Sequence, residues 1–239
     1  MTTSTPTVVL VHGAFADAAS WSGVITELQG HGVAVVAPPN PLRGLAADAA
    51  YVASVASQID GPVILVGHSY GGALITVAGT TENVVGLVYV AAYVLEEGES
   101  LGELQGRFPD SPLVSNLRQA TYPVEGGEPA VEVTIAPEAF PDVFAADVPA
   151  DVTKVLAVAQ RPLAAAAFGE KATAAAWRTK PSWALVAGAD HAINPDVERF
   201  GAERASATVV EVDGASHAVA LSQPKQVADL ILAAVRATS

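Results

Sequence analysis

The 239-residue chain is 51% hydrophobic, only 15% charged, and carries a formal net charge of −13. That acidity argues against nucleic acid and anionic membrane surfaces as partners, because both would repel it. The absence of cysteine excludes disulfides, thiol nucleophiles and thiolate metal sites, and suits a reducing compartment.

No apolar run reaches the length of a membrane span, and Met1–Pro6 has neither the basic nor the apolar region of a signal peptide. A cytoplasmic location is expected. Thr7–Val11 predicts a first strand, ending at His12-Gly13. Ser20–Leu28 predicts a helix that closes near Gly30-His31-Gly32. Val33–Ala37 predicts a second strand, stopped by Pro38-Pro39. Leu45–Ile59 carries apolar residues at helical spacing and ends at Asp60-Gly61. Pro62–Val66 predicts a third strand, and Ala73–Ala78 a helix start. Val84–Val90, Trp183–Ala187 and Thr208–Val212 predict three more strands, and Pro224–Val235 a last helix. Short, uninterrupted, Val-rich strands with helices between most of them signal a parallel sheet buried on both faces.

The stretch 95–181 breaks this alternation. It holds many of the prolines, the acidic patch Glu96-Glu97-Gly98-Glu99, and an Ala-rich run from Asp151 to Trp177 that reads as helical. It also has apolar residues of its own, among them Phe108, Phe140, Phe144, Leu156 and Phe168. The expectation is a core of residues 1–94 and 182–239 with a mainly helical cap, 95–181, inserted between strands.

Between the third strand and its helix stands Gly67-His68-Ser69-Tyr70-Gly71, followed by Gly72. This is the pattern G-x-S-x-G, a sharp strand-to-helix turn that exposes a serine hydroxyl and needs small neighbours. A serine hydroxyl is a poor nucleophile at neutral pH. It needs a base, and the base needs an orienting acid. His217, in the loop after the sixth strand, is the candidate base, because sites in open α/β sheets lie past the carboxyl ends of strands. Asp190, just past the fifth strand, is the candidate acid. Its rivals are Asp196, which suits a helix cap, and Glu96 and Glu97, which suit a solvated face. His12 and His68 suit structural roles in their turns, His31 a helix end, and His191 the rim of the site. An oxyanion hole needs two backbone N–H groups. Tyr70, at a helix N-terminus, offers one, and Ala14 the other, with Phe15 the second choice. Phe15, Trp21 and Tyr93 flank these positions and are candidate substrate contacts. There is no G-x-G-x-x-G register, no H-E-x-x-H and no His/Asp cluster at metal spacing, so neither cofactor nor metal is expected.

His12-Gly13-Ala14-Phe15, the Gly67–Gly72 elbow, Gly188-Ala189-Asp190 and Gly214-Ala215-Ser216-His217 resemble the α/β-hydrolase superfamily in content and order, over nearly the whole chain. The short N-terminus and Ala176–Ser182 resemble the branch that holds plant methyl esterases, hydroxynitrile lyases and small bacterial carboxylesterases. The resemblance implies a six-stranded, mostly parallel sheet in the order 2-1-3-4-5-6, helices on both faces, and no antiparallel hairpin before Thr7. It also implies a serine hydrolase acting through an acyl-enzyme on a small to medium, partly apolar carboxylic ester. Lyases of the branch that use a lysine carry it right after the base, where Ala218 stands here, and have Thr where Gly13 stands. Relatives with an aspartate nucleophile are disfavoured by Ser69. Two other readings use the same residues: a cofactor-free perhydrolase or haloperoxidase, and a non-enzymatic ligand receptor on the same fold.

Overall fold

The computed structural model describes residues 5–239. The expectation about a leader therefore lies largely outside the described residues, at Met1–Ser4. β1 (Thr7–Val11) leads through a 3₁₀ turn to α1 (Ser22–Gly30), β2 (Val35–Val36), α2 (Leu45–Ser57), β3 (Val63–His68), α3 (Tyr70–Ala78) and β4 (Val84–Val90). Next come α4 (Leu101–Gln105), α5 (Pro112–Ser115), β5 (Leu117–Tyr122), β6 (Ala130–Ile135), α6 (Phe140–Phe144), α7 (Ala150–Leu156) and β7 (Leu163–Ala164). The chain then returns to the main sheet with β8 (Ser182–Ala187), α8 (Pro195–Arg204), β9 (Thr208–Val212), α9 (Val219–Ser222) and α10 (Pro224–Thr238).

The main sheet has the order β2-β1-β3-β4-β8-β9, and every pairing in it is parallel. This is the α/β-hydrolase fold, with the strand order that the resemblance implies. Alternation along the strands divides the interior into two layers. Val9, Val11, Val63, Leu65, Leu87 and Tyr89 face one layer, against α2, α3 and the 95–181 segment. Val8, Leu10, Ile64, Val66, Val88 and Val90 face the other, against α1, α9 and α10. Burial on both sides is why the strands read as unbroken apolar runs.

The 95–181 segment departs from expectation. It contains a three-stranded antiparallel sheet, β5-β6-β7, beside four short helices. The Asp151–Trp177 run is α-helical only to Leu156. Pro162 lacks the N–H a helix would need, and the alanines beyond it serve as small packing groups. Ala164 and Ala167 are buried, and Leu163 pairs with Val133. Tertiary packing overrides the helix preference of alanine here. Among the described residues, no helix is long and apolar enough to cross a membrane.

Candidate active site

The carboxyl ends of β1, β3, β4, β8 and β9 all open onto one rim, and each contributes to it. β3 delivers Ser69, the residue that joins it to α3. Ser69 has φ 55° and ψ −122°, a left-handed conformation that a side chain adopts only under constraint. The glycines supply that constraint. A Cβ on Gly67 would collide with the Gly71 carbonyl, and one on Gly71 with the Val11 carbonyl. On Gly13 it would sit 2.7 Å from Ser69 Cβ. The β1 loop, β3 and α3 thus touch backbone to backbone.

β9 delivers His217, and β8 delivers Asp190. Both are buried, and His217 Nδ1 lies 2.5 Å from Asp190 Oδ2. The other oxygen of Asp190 accepts from the Ala192 and Ile193 amides at 2.6 and 2.9 Å. Asp190 is therefore fixed by its own loop, and its second oxygen is left for the imidazole. With Nδ1 engaged, Nε2 of His217 is the ring atom free to act. Ser69 and His217 line one cavity of about 320 Å³, together with Ala14, Phe15, Tyr70 and Tyr93. The Ala14 and Tyr70 amides find no acceptor among the described residues, whereas Phe15 N–H donates to the Arg161 carbonyl at 3.1 Å. That commitment removes Phe15 as the alternative amide.

The remaining predicted residues separate cleanly. Trp21 does not line the cavity, contrary to expectation. It is fully buried in the second layer, edge-on to His68, because the turn before α1 carries it beneath the sheet. Glu96 pairs with Arg178, and Asp196 with Arg199, and neither meets His217. Glu97 is exposed. His191 is exposed and bonds the Asp142 carbonyl, as befits a rim residue. His31 bonds Glu27 at the end of α1.

His12 and His68 are structural, and both are specific in how. Asn40 N–H donates to His12 Nε2 at 2.9 Å, so the His12 proton sits on Nδ1 and meets the Gly13 carbonyl at 2.8 Å. Burial pushes His12 below the ordinary imidazole value. His68 Nε2 lies 2.8 Å from the carbonyl of His217 and donates to it. Burial first, then the charge of His217, pushes His68 well down, so it remains a neutral clamp.

Several further residues act on the site. Ser216 donates to Asp147 and to the Phe144 carbonyl, which also accepts from Ala218 N–H at 2.9 Å. The Phe144 ring stands edge-on to His217, with centroids 4.9 Å apart. The Tyr70 hydroxyl donates to buried Asp48 at 2.8 Å, and that carboxylate also accepts from the Arg43 and Gly44 amides. Glu198 on α8 is buried beside Asp190, and its Oε2 accepts from Ala187 N–H at 3.0 Å. Burial, then the charge of Asp190, raises its carboxyl well above the carboxylate range. In the sequence Glu198 looks like any acid in the first turn of an exposed helix, and the 95–181 contacts to His217 leave no local pattern. His68 and Tyr70 are signalled by their places inside the elbow, and Ser216 by its place in the Gly214–His217 motif. Among the described residues, no group of three or more His, Cys, Asp or Glu could hold a metal ion.

A model of the alpha/beta hydrolase family matches residues 8–230. The chain belongs to that family. Solved structures similar to this hydrolase include polyneuridine aldehyde esterase, with a TM-score of 0.82 at 20% identity, covering 97% of this chain and 99% of that one. A methylesterase from Arabidopsis gives 0.79 at 19% identity, with 97% and 99% coverage. A pyrethroid hydrolase from Sphingobium faniae JZ-2 gives 0.76 at 21% identity, with 97% and 98% coverage. At these identities the likeness is one of fold. No functionally curated protein matches the chain.

Proposed function

We propose that this α/β hydrolase cleaves carboxylic esters through an acyl-enzyme on Ser69. Ser69 Oγ attacks the carbonyl carbon while His217 Nε2 takes its proton. Asp190 holds the imidazole in the tautomer that leaves Nε2 free, and stabilises the imidazolium once it forms. The Ala14 and Tyr70 amides receive the developing oxyanion, Tyr70 with the dipole of α3 behind it. The proton passes to the leaving alkoxide, so the C–O bond breaks and the alcohol departs. Water then enters, His217 takes one of its protons, and collapse of the second tetrahedral adduct releases the acid and restores Ser69.

The observation that carries this reading is the 2.5 Å His217–Asp190 bond beside a cavity that Ser69 also lines. Esterases and hydrolases among the structures of like fold support it. The test is covalent. A fluorophosphonate probe should label Ser69 in the wild-type chain, and Ser69→Ala should abolish both labelling and hydrolysis of p-nitrophenyl acetate while the far-UV spectrum stays native. Labelling elsewhere, or a Ser69→Ala enzyme of undiminished rate, would overturn the assignment.

A further inference from the structure

We infer that the substrate is a neutral ester with an apolar group on each side of its carboxyl, one group on either flank of Ser69. The inference rests on the ester-hydrolase reading and adds the substrate class. Two further spaces adjoin the central cavity. One, of about 560 Å³, lies between the β1 loop and α6, α7 and α9, and shares only Phe15 with the central cavity. The other, of about 620 Å³, lies under α4 and α5, and shares Tyr93, Leu101, Leu113 and Phe168 with it. The two outer spaces have no lining residue in common. The space that Ser69 lines therefore meets the other two at different walls, one at Phe15 and the other at Tyr93, Leu101, Leu113 and Phe168.

The chemistry of the walls sets the class. None of the three linings contains Lys or Arg, whereas exposed Asp17 and Asp110 stand one in each outer chamber. Anionic substituents meet an acidic side chain on both sides and no cationic side chain in any of the three linings. In the α4–α5 chamber the Tyr93 hydroxyl donates to Gln105, and Gln105 donates to Ser111 at 3.3 Å. These polar groups are engaged with one another, so what they leave for a ligand is largely hydrocarbon surface. A methyl ester or an acetate would leave one chamber without a partner. An ester that fills both gains apolar burial twice.

Phe15 is the partition on the α6–α7 side. It is buried, sits at φ 63°, and its amide is held by the Arg161 carbonyl, so the ring is fixed where the β1 loop meets the 95–181 segment.

The experiment crosses acyl length (acetyl to octanoyl) with alcohol size (methyl to hexyl and benzyl). It uses the 239-residue chain and its Phe15→Ala and Val114→Trp variants, with melting curves as the folding control. In the wild type, kcat/KM should rise on lengthening either side, by up to about fourfold per methylene buried, and the two gains should multiply. Phe15→Ala should alter the response to one series, and Val114→Trp, which fills the α4–α5 chamber, should blunt the other. An ester with a terminal carboxylate should react at least tenfold more slowly than its neutral isostere. If length matters on one side only, or both variants alter the same series, or the carboxylate is no handicap, the two-chamber inference is wrong. If p-nitrophenyl acetate shows no Ser69-dependent hydrolysis, the ester-hydrolase reading itself has failed. Ser69-dependent turnover with a flat panel overturns only the inference.

Discussion

Ser69 and His217 line the same cavity, yet they are held there in different ways. Ser69 is fixed by backbone alone: a left-handed φ, three abutting main-chain segments and glycines where any Cβ would collide. His217 sits in a loop whose position is set by side chains and carbonyls from four places, namely Asp190, His68, Phe144 and Asp147 through Ser216. A backbone restraint is all or none. A distributed side-chain restraint can be weakened by degrees, so the two halves of the site should fail differently.

The largest effect should come from Asp190→Asn, which keeps the shape of the base's support but not its charge. A loss on the order of 10⁴-fold in kcat is expected, with the protein still folded, and steady-state kinetics beside a melting curve would check it. On the serine side, Gly71→Ala should cost about 2–4 kcal/mol of stability by forcing α3 away from the Val11 carbonyl. That is measurable by urea titration, and a neutral result would mean the elbow is not held by contact. His68→Phe keeps a ring but loses the bond to the His217 carbonyl. Displacement of the base should lower kcat by up to about 10²-fold and slow fluorophosphonate labelling of Ser69 in parallel. Ser216→Ala loses the link to Asp147 and Phe144, and about 1 kcal/mol of stability with a few-fold fall in kcat is expected.

The smallest effect separates the two sides by pH. The Glu198 carboxyl is raised in the folded state, so the unfolded chain gives up its proton first. Stability is lost progressively as pH rises above the ordinary value of 4.5. Glu198→Gln keeps an acceptor for Ala187 N–H and removes that titration, so the variant's advantage in melting temperature should grow with pH. His12 and His68 act in the opposite direction. Their values are lowered, so folding stability should fall as pH drops below 6.5. A parallel pair of wild-type and Glu198→Gln curves would contradict the first statement.

What the sequence made legible follows the same division. The elbow and the placement of Asp190 and His217 past strand ends rest on local signals: a glycine pattern, apolar runs, and residues in a fixed order; the strand order came with the family resemblance that those motifs carry. The Trp21 assignment failed because nearness to the β1 loop in sequence does not say which face of the sheet a side chain takes. The β5-β6-β7 sheet was invisible because its strands are half-exposed and mixed in character, as in Leu117–Tyr122. The Ala-rich run misled because alanine suits a helix and a tight packing site equally well. Glu198 and Asp147 matter through what they meet across the fold, and no spacing along the chain encodes that.

The bond from Ala218 N–H to the Phe144 carbonyl carries one more consequence. A segment swinging on its connections to β4 and β8 would drag the imidazole loop along, and an open form of that kind would be chemically disarmed. A roof tied to the imidazole loop in this way predicts that added viscogen slows kcat less than a door-like motion would.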